Sequence, residues 1–211
     1  MSRLGRKLRL LGRDNTPLRD DRRFVIACDD QYAPRQYFEF LKLSRVQVLV
    51  LPTVDGRCAA EDVLRRLDEY PSEPRDERWL VLDVDHFAEN EHLRKFSSTV
   101  RTAQQKGIRV ALSKPCFELW LLLHHVGETE VSSHLRCGTV DQALRSALGA
   151  YNKRKLNRDD YPDESVANAI ERAKRLDQGT SDIPASNTSR VYRILDAIAA
   201  SVPAYLLPWL R

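Results

Sequence analysis

A chain of 211 residues is long enough for one well-buried domain with a small helical appendage, and too short for two full domains to be the natural reading. With 42% hydrophobic and 30% charged residues, and no apolar stretch approaching the roughly 18 residues of a membrane span, the composition predicts a soluble globular protein that does not enter a membrane. The net charge of +4 is local, because residues 1–23 carry eight Lys or Arg against three Asp and the rest of the chain sums to −1.

The basic excess defines an N-terminal arm over residues 1–22, either a contact for phosphates or a partner, or a solubilising tail. The arm lacks the apolar segment and cleavage site of a secretory signal, so a cytoplasmic location is expected. After it, "RFVIAC" (23–28) predicts a strand, "PRQYFEFLKL" (34–43) has helical spacing, and "VQVLVLP" (46–52) is a second strand ended by proline. "AAEDVLRRLDEY" (59–70) is an amphipathic helix with Val63, Leu64 and Leu67 inward. "RWLVLDVD" (78–85) is the third strand, a helix runs from about Asn90 to Lys106 with Gly107 as its C-cap, and "IRVALS" (108–113) is the fourth strand.

Four apolar strands alternating with helices predict an α/β core over residues 23–126, with a mostly parallel sheet flanked by helices. Residues 127–211 predict a helical C-terminal extension packed on that core. It contains a helix with Thr139 and Gln142 as a capping box, a basic segment "YNKRKLNR", a helix over 162–177, a linker "TSDIPASNTS" and a last helix over 190–201. "PCFELWLLLHHV" (115–126) reads as a helix buried nearly all round.

In parallel sheets, ligands sit beyond the carboxyl ends of the strands. Asp29 and Asp30 follow the first strand, and Asp83 and Asp85 close the third, where strand alternation would point both the same way. Hard carboxylate oxygens from separate segments suit magnesium or manganese, so Asp29, Asp83 and Asp85 are candidate metal ligands; strand-end aspartates that cap helices are the equally weighted alternative. Glu118, a charge inside an apolar helix, must face either the acidic edge or a buried Arg. His86 is placed to orient a carboxylate or a phosphate, whereas the adjacent His124 and His125 diverge on a helix and read as packed side chains. Lys155 or Arg158 in "YNKRKLNR" could stabilise charge on a phosphate, with Tyr151 and Tyr161 stacking on bases, or the segment is an ordinary solvated turn.

The sequence has no Walker A loop, no G-x-G-x-x-G and no G-x-S-x-G, against a P-loop ATPase, a nicotinamide enzyme and an α/β-hydrolase. Cys28, Cys58, Cys116 and Cys137 form no C-x-x-C pair, which argues for reduced thiols, with Cys28 and Cys116 buried.

Taken together, "FVIACDDQYAPRQYF", "WLVLDVDHF", "VALSKPCFELWLLLHH", "YNKRK" and "IPASNTSRVYRILDAI" resemble the RloB-like proteins, a bacterial family linked to phage defence and related to Toprim nucleases. The resemblance implies a Toprim-like α/β core and a metal-dependent nuclease acting on DNA or RNA. Such a protein would be an effector of abortive infection working beside an AAA-type or ABC-type ATPase. By the same resemblance Asp29 stands where the family's first glutamate ligand is usual, Asp30 replaces a glycine and Pro34 a second glutamate. Asp83, Asp85 and Glu118 match the family pattern. This altered first motif keeps open a non-catalytic, degenerate Toprim-like subunit that binds an ATPase partner or nucleic acid and regulates it. Self-association into a homo-oligomer is left open.

Overall fold

The structure, a computed structural model, describes residues 21–85, 90–133 and 136–210. The basic arm, save its last two residues, and His86 lie outside them. The described residues form an α/β fold with five strands and eight α-helices. Strands β1 (Arg22–Cys28), β2 (Val46–Leu51), β3 (Glu77–Asp83) and β4 (Arg109–Lys114) are parallel, and β5 (Thr188–Ser189) runs antiparallel to β4, in the order β2-β1-β3-β4-β5. The helices are α1 (Ala33–Phe40), α2 (Ala60–Glu69), α3 (Asn90–Gln105), α4 (Glu118–Leu122), α5 (Glu128–Val131), α6 (Cys137–Leu148), α7 (Asp163–Leu176) and α8 (Tyr192–Ser201).

The near-continuous apolar runs of β1 and β3 are those of strands covered on both faces. Their alternate residues divide the core in two. Phe24, Ile26, Cys28, Trp79, Val81 and Ala111 pack with α1, α4, α6, α7 and α8, and this one cluster joins the sheet to the C-terminal helices. Val25, Ala27, Leu80, Leu82 and Leu112 pack with Val63, Leu64 and Leu67 of α2 and with Phe96 and Val100 of α3. Gly107 has φ +73° after α3, the left-handed conformation expected of a C-cap.

Three expectations need correction. The linker at 180–189 ends in β5, because the Ser113 and Ser189 hydroxyls meet at 2.8 Å and Arg190 N–H donates to the Leu112 carbonyl at 2.8 Å. The Arg190 guanidinium, buried, holds the preceding segment by bonds to the carbonyls of Ser181 and Asp182 and to Asp177. The 115–126 helix is regular only over α4, with hydrogen-bonded turns on either side. Thr139 and Gln142 do not form the box, because the helix begins at Cys137; the Thr139 hydroxyl, now in the first turn, accepts the Arg136 N–H at 3.4 Å and donates to the Arg136 carbonyl at 2.7 Å.

Candidate functional site

In the order β2-β1-β3-β4 the chain leaves β1 toward one edge for β2 and then crosses to β3 on β1's other side. The carboxyl ends of β1 and β3 therefore flank the topological switch point, where such sheets bind ligands. Asp29 follows β1 and Asp83 ends β3. In the β1–β3 register Cys28 lies opposite Val81, so the Asp29 side chain reaches across the strand ends and its Oδ2 accepts the Asp83 N–H at 2.8 Å. Asp83 Oδ1 in turn accepts the Phe117 N–H at 2.8 Å, which docks the start of α4 on the strand tip and brings Glu118 to the acids. Glu118 is buried, and behind it Trp120, Tyr37, His124 and Tyr161 pack edge to face at centroid separations of 5.2 to 6.1 Å.

Asp30 does two jobs. Its Oδ1 accepts the N–H groups of Tyr32 (2.5 Å) and Ala33 (3.0 Å), capping the entry to α1, and its Oδ2 lies 2.5 Å from Lys153 Nζ. Lys153 also lies 3.1 Å from Glu118 Oε1, so one ammonium bridges two carboxylates. Gln36 of α1 fixes the lysine's backbone: its Nε2 donates to the carbonyls of Tyr32 (3.1 Å) and Lys153 (3.0 Å), and its Oε1 accepts the Leu156 N–H at 2.9 Å. On the opposite side Arg66 of α2 donates to the Cys28 carbonyl at 2.7 Å and to Thr53 at 3.3 Å.

The electrostatics follow from burial. Desolvation pushes the Asp29 carboxyl up to about 7, against the pull of the Asp83 amide and with the help of Asp30 and Glu118. Burial, then Asp29 and Glu118, hold the Asp83 proton well above the usual carboxylate range. For Lys153, burial favours the neutral amine but is outweighed by Glu118 and Asp30, which raise its pKa. The pocket thus has more carboxylate than nearby cation, and added positive charge would release protons and stabilise it.

Asp29 and Asp83 meet at the strand ends, and of the two alternatives for Glu118 the structure has it facing this acidic edge, paired with Lys153. Asp85 follows a different course: β3 stops at Asp83, so strand alternation does not carry to Asp85, whose N–H donates to the Pro115 carbonyl at 3.2 Å. After burial, the groups acting most strongly on Asp83 are Asp29 and Glu118, then Cys137 and Asp30. Lys155 is exposed, and Arg158 is engaged by Asp163 and the Tyr161 carbonyl. Tyr151 and Tyr161 are buried in the core, which removes them as stacking platforms for bases. His124 is packed, with Nδ1 2.8 Å from the Ser165 hydroxyl. Cys28 and Cys116 are buried, as expected, and none of the four thiols is in a disulfide.

Lys153, Gln36 and Arg66 were missed. Arg66 lies three residues from the buried Val63 on the inner side of α2, a readable signal; Lys153 sits in a turn whose path no periodicity predicts.

Among the described residues no group of three His, Cys, Asp or Glu side chains is arranged to enclose a metal ion. Magnesium commonly takes one or two carboxylates and keeps its waters. The second oxygens of Asp29 and Asp83, hard donors on adjacent strand tips with raised proton affinity, fit that mode of binding. A groove of about 890 Å³ is lined by His125, Glu130, Thr139 and Gln142 among others and by none of these acids. No helix among the described residues is long and apolar enough to cross a membrane.

A family model described as RloB-like protein matches residues 24–198, and the chain belongs to that family. No curated protein and no solved structure matches it.

Proposed function

We propose that this RloB-like chain is a magnesium- or manganese-dependent phosphodiesterase that cleaves nucleic acid, built on a Toprim-like core. The observation that carries the reading is the buried meeting of Asp29, Asp83 and Glu118 at the switch point, where burial and mutual repulsion create a demand for positive charge. Asp29 and Asp83 face the ion and Asp85 completes the acidic set. A bound ion would lower the pKa of a water and offset charge on the scissile phosphate. Glu118 orients that water or a ligand, His86 serves the same end from outside the described residues, and Lys155, exposed on the basic turn, contacts substrate phosphate. DNA or RNA, tRNA included, is the substrate class, and the protein works in the cytoplasm as effector of an anti-phage system beside an AAA-type or ABC-type ATPase.

A second reading, a non-catalytic subunit that regulates an ATPase or binds nucleic acid, is favoured by one observation. Asp30, in the place of the family's glycine, commits its carboxylate to capping α1 and pairing with Lys153. Labelled DNA and tRNA incubated with Mg²⁺, with Mn²⁺ or with EDTA separate the two. Cleavage that requires the ion and disappears in Asp83→Asn supports the enzyme. Cleavage that persists in EDTA or in that variant overturns these roles.

A further inference from the structure

The basic turn after α6 contains the one cation seen to bridge the pocket's carboxylates among the described residues. Lys153 Nζ stands 2.5 Å from Asp30 Oδ2 and 3.1 Å from Glu118 Oε1, and these two side chains are only 7% and 4% exposed. An ammonium at such distances already supplies positive charge to carboxylates beside Asp29 and Asp83, the charge a divalent ion in the acid pocket would otherwise supply. The lysine side chain itself is 42% exposed, so it has a path outward to solvent. Its backbone is held by Gln36, which binds the turn at the Lys153 carbonyl and again three residues on, at the Leu156 amide. A turn fixed in this way lowers the entropic cost of keeping the long side chain in the pocket.

We propose that Lys153 is a built-in counter-ion that occupies the Asp30–Glu118 position and competes with divalent cation for the acid pocket, and that Gln36 sets the strength of that competition by fixing the turn. The inference rests on the reading of the pocket as a cation site and deepens it. In the resting site the ammonium offsets part of the pocket's negative charge, and a metal ion is taken up with outward movement of the ammonium. The displaced lysine then stands at the rim of the pocket, where an anionic phosphate is the partner its charge would meet.

Mn²⁺ binding to the full-length protein, followed by calorimetry and by the loss of the free-ion paramagnetic signal, tests it without reference to activity. Lys153→Gln is expected to bind Mn²⁺ about tenfold more tightly than the parent, which corresponds to about 1.4 kcal/mol. Lys153→Arg, which keeps the charge, should stay near the parent. Gln36→Ala leaves every charge in place and removes the clamp on the turn, together with the bond to the Tyr32 carbonyl, so it should bind more tightly than the parent by a smaller factor. A folded Lys153→Gln or Gln36→Ala protein that binds Mn²⁺ no better than a binding-competent parent overturns the competition. Absence of Mn²⁺ binding from the parent and from every variant overturns the cation-site reading itself and this inference with it.

Discussion

Replacing Asp29 by Asn isolates the electrostatic cost of the acid pocket. Asn keeps an oxygen for the Asp83 N–H, which donates at 2.8 Å, and nearly the same volume, but removes a charge whose pKa burial pushes from 3.8 to about 7. A shift of about three units at roughly 1.36 kcal/mol each amounts to about 4 kcal/mol. The folded-state pKa is the higher one, so the folded chain binds the proton more tightly than the unfolded chain. The cost is therefore absent below about pH 4, grows as pH rises to about 7, and is complete above it. Against this, the Asn amide brings N–H donors into a buried site, at about 1–3 kcal/mol if they find no partner. The net expectation in EDTA is a gain of about 1–3 kcal/mol near pH 8, or a Tm rise of several degrees at about 2–4 °C per kcal/mol for a chain of this size. Near pH 5 the gain should vanish or reverse. Scanning calorimetry of parent and variant at both pH values measures the difference. A difference that is the same at pH 5 and pH 8, or a variant less stable than the parent at pH 8, refutes the account of the pocket.

Three other substitutions have definite expected outcomes. Arg190→Met strips Asp177, whose side chain is 2% exposed, of one guanidinium and frees the carbonyls of Ser181 and Asp182, costing about 3 kcal/mol of unfolding free energy in urea titrations. Burial pushes the Asp177 pKa up, but the Tyr192 hydroxyl, Arg190 and Arg193 bring it below its usual value, so its stabilisation is present above about pH 4 and lost as pH falls further; Arg190→Met should flatten that acid limb. Trp120→Ala empties a fully buried site in the ring cluster behind Glu118 and should cost about 3–5 kcal/mol, read from thermal unfolding. Lys155→Ala, at an exposed position, should leave stability within about 0.5 kcal/mol; if Lys155 meets a phosphate, nucleic-acid affinity falls and the salt slope decreases by about one. An unchanged slope removes Lys155 from the interface.

The legible parts of this protein were those in which a local pattern has one three-dimensional meaning. The apolar runs at 23–28 and 78–83 could be satisfied only by strands covered on both faces, and both are. Glu118 could be marked because a carboxylate in an apolar helix needs a partner wherever the helix lies. The end of the third strand was less legible: strand spacing through Asp85 runs two residues beyond the last ladder position, Asp83 opposite Ser113, so period-two alternation does not by itself place Asp85. Tyr151 and Tyr161 in and after "YNKRKLNR" fit a stacking surface for bases or an ordinary turn equally well by local pattern, and the core of α1, α4 and α7 claims both rings.

Sequence alone therefore determined the strand and helix alternation, the parallel sheet, the family, and the acids at the strand ends, since each depends on residues close together in the chain. Tertiary structure alone decided that Lys153 rather than Lys155 enters the acid pocket, that Arg66 backs it, and that residues 188–189 join the sheet. Those contacts link residues far apart in sequence, such as Gln36 with Lys153 and Leu156, and depend on how a turn without periodicity is clamped. An ammonium is directed by the backbone that carries it, and that backbone takes its path from packing against α1.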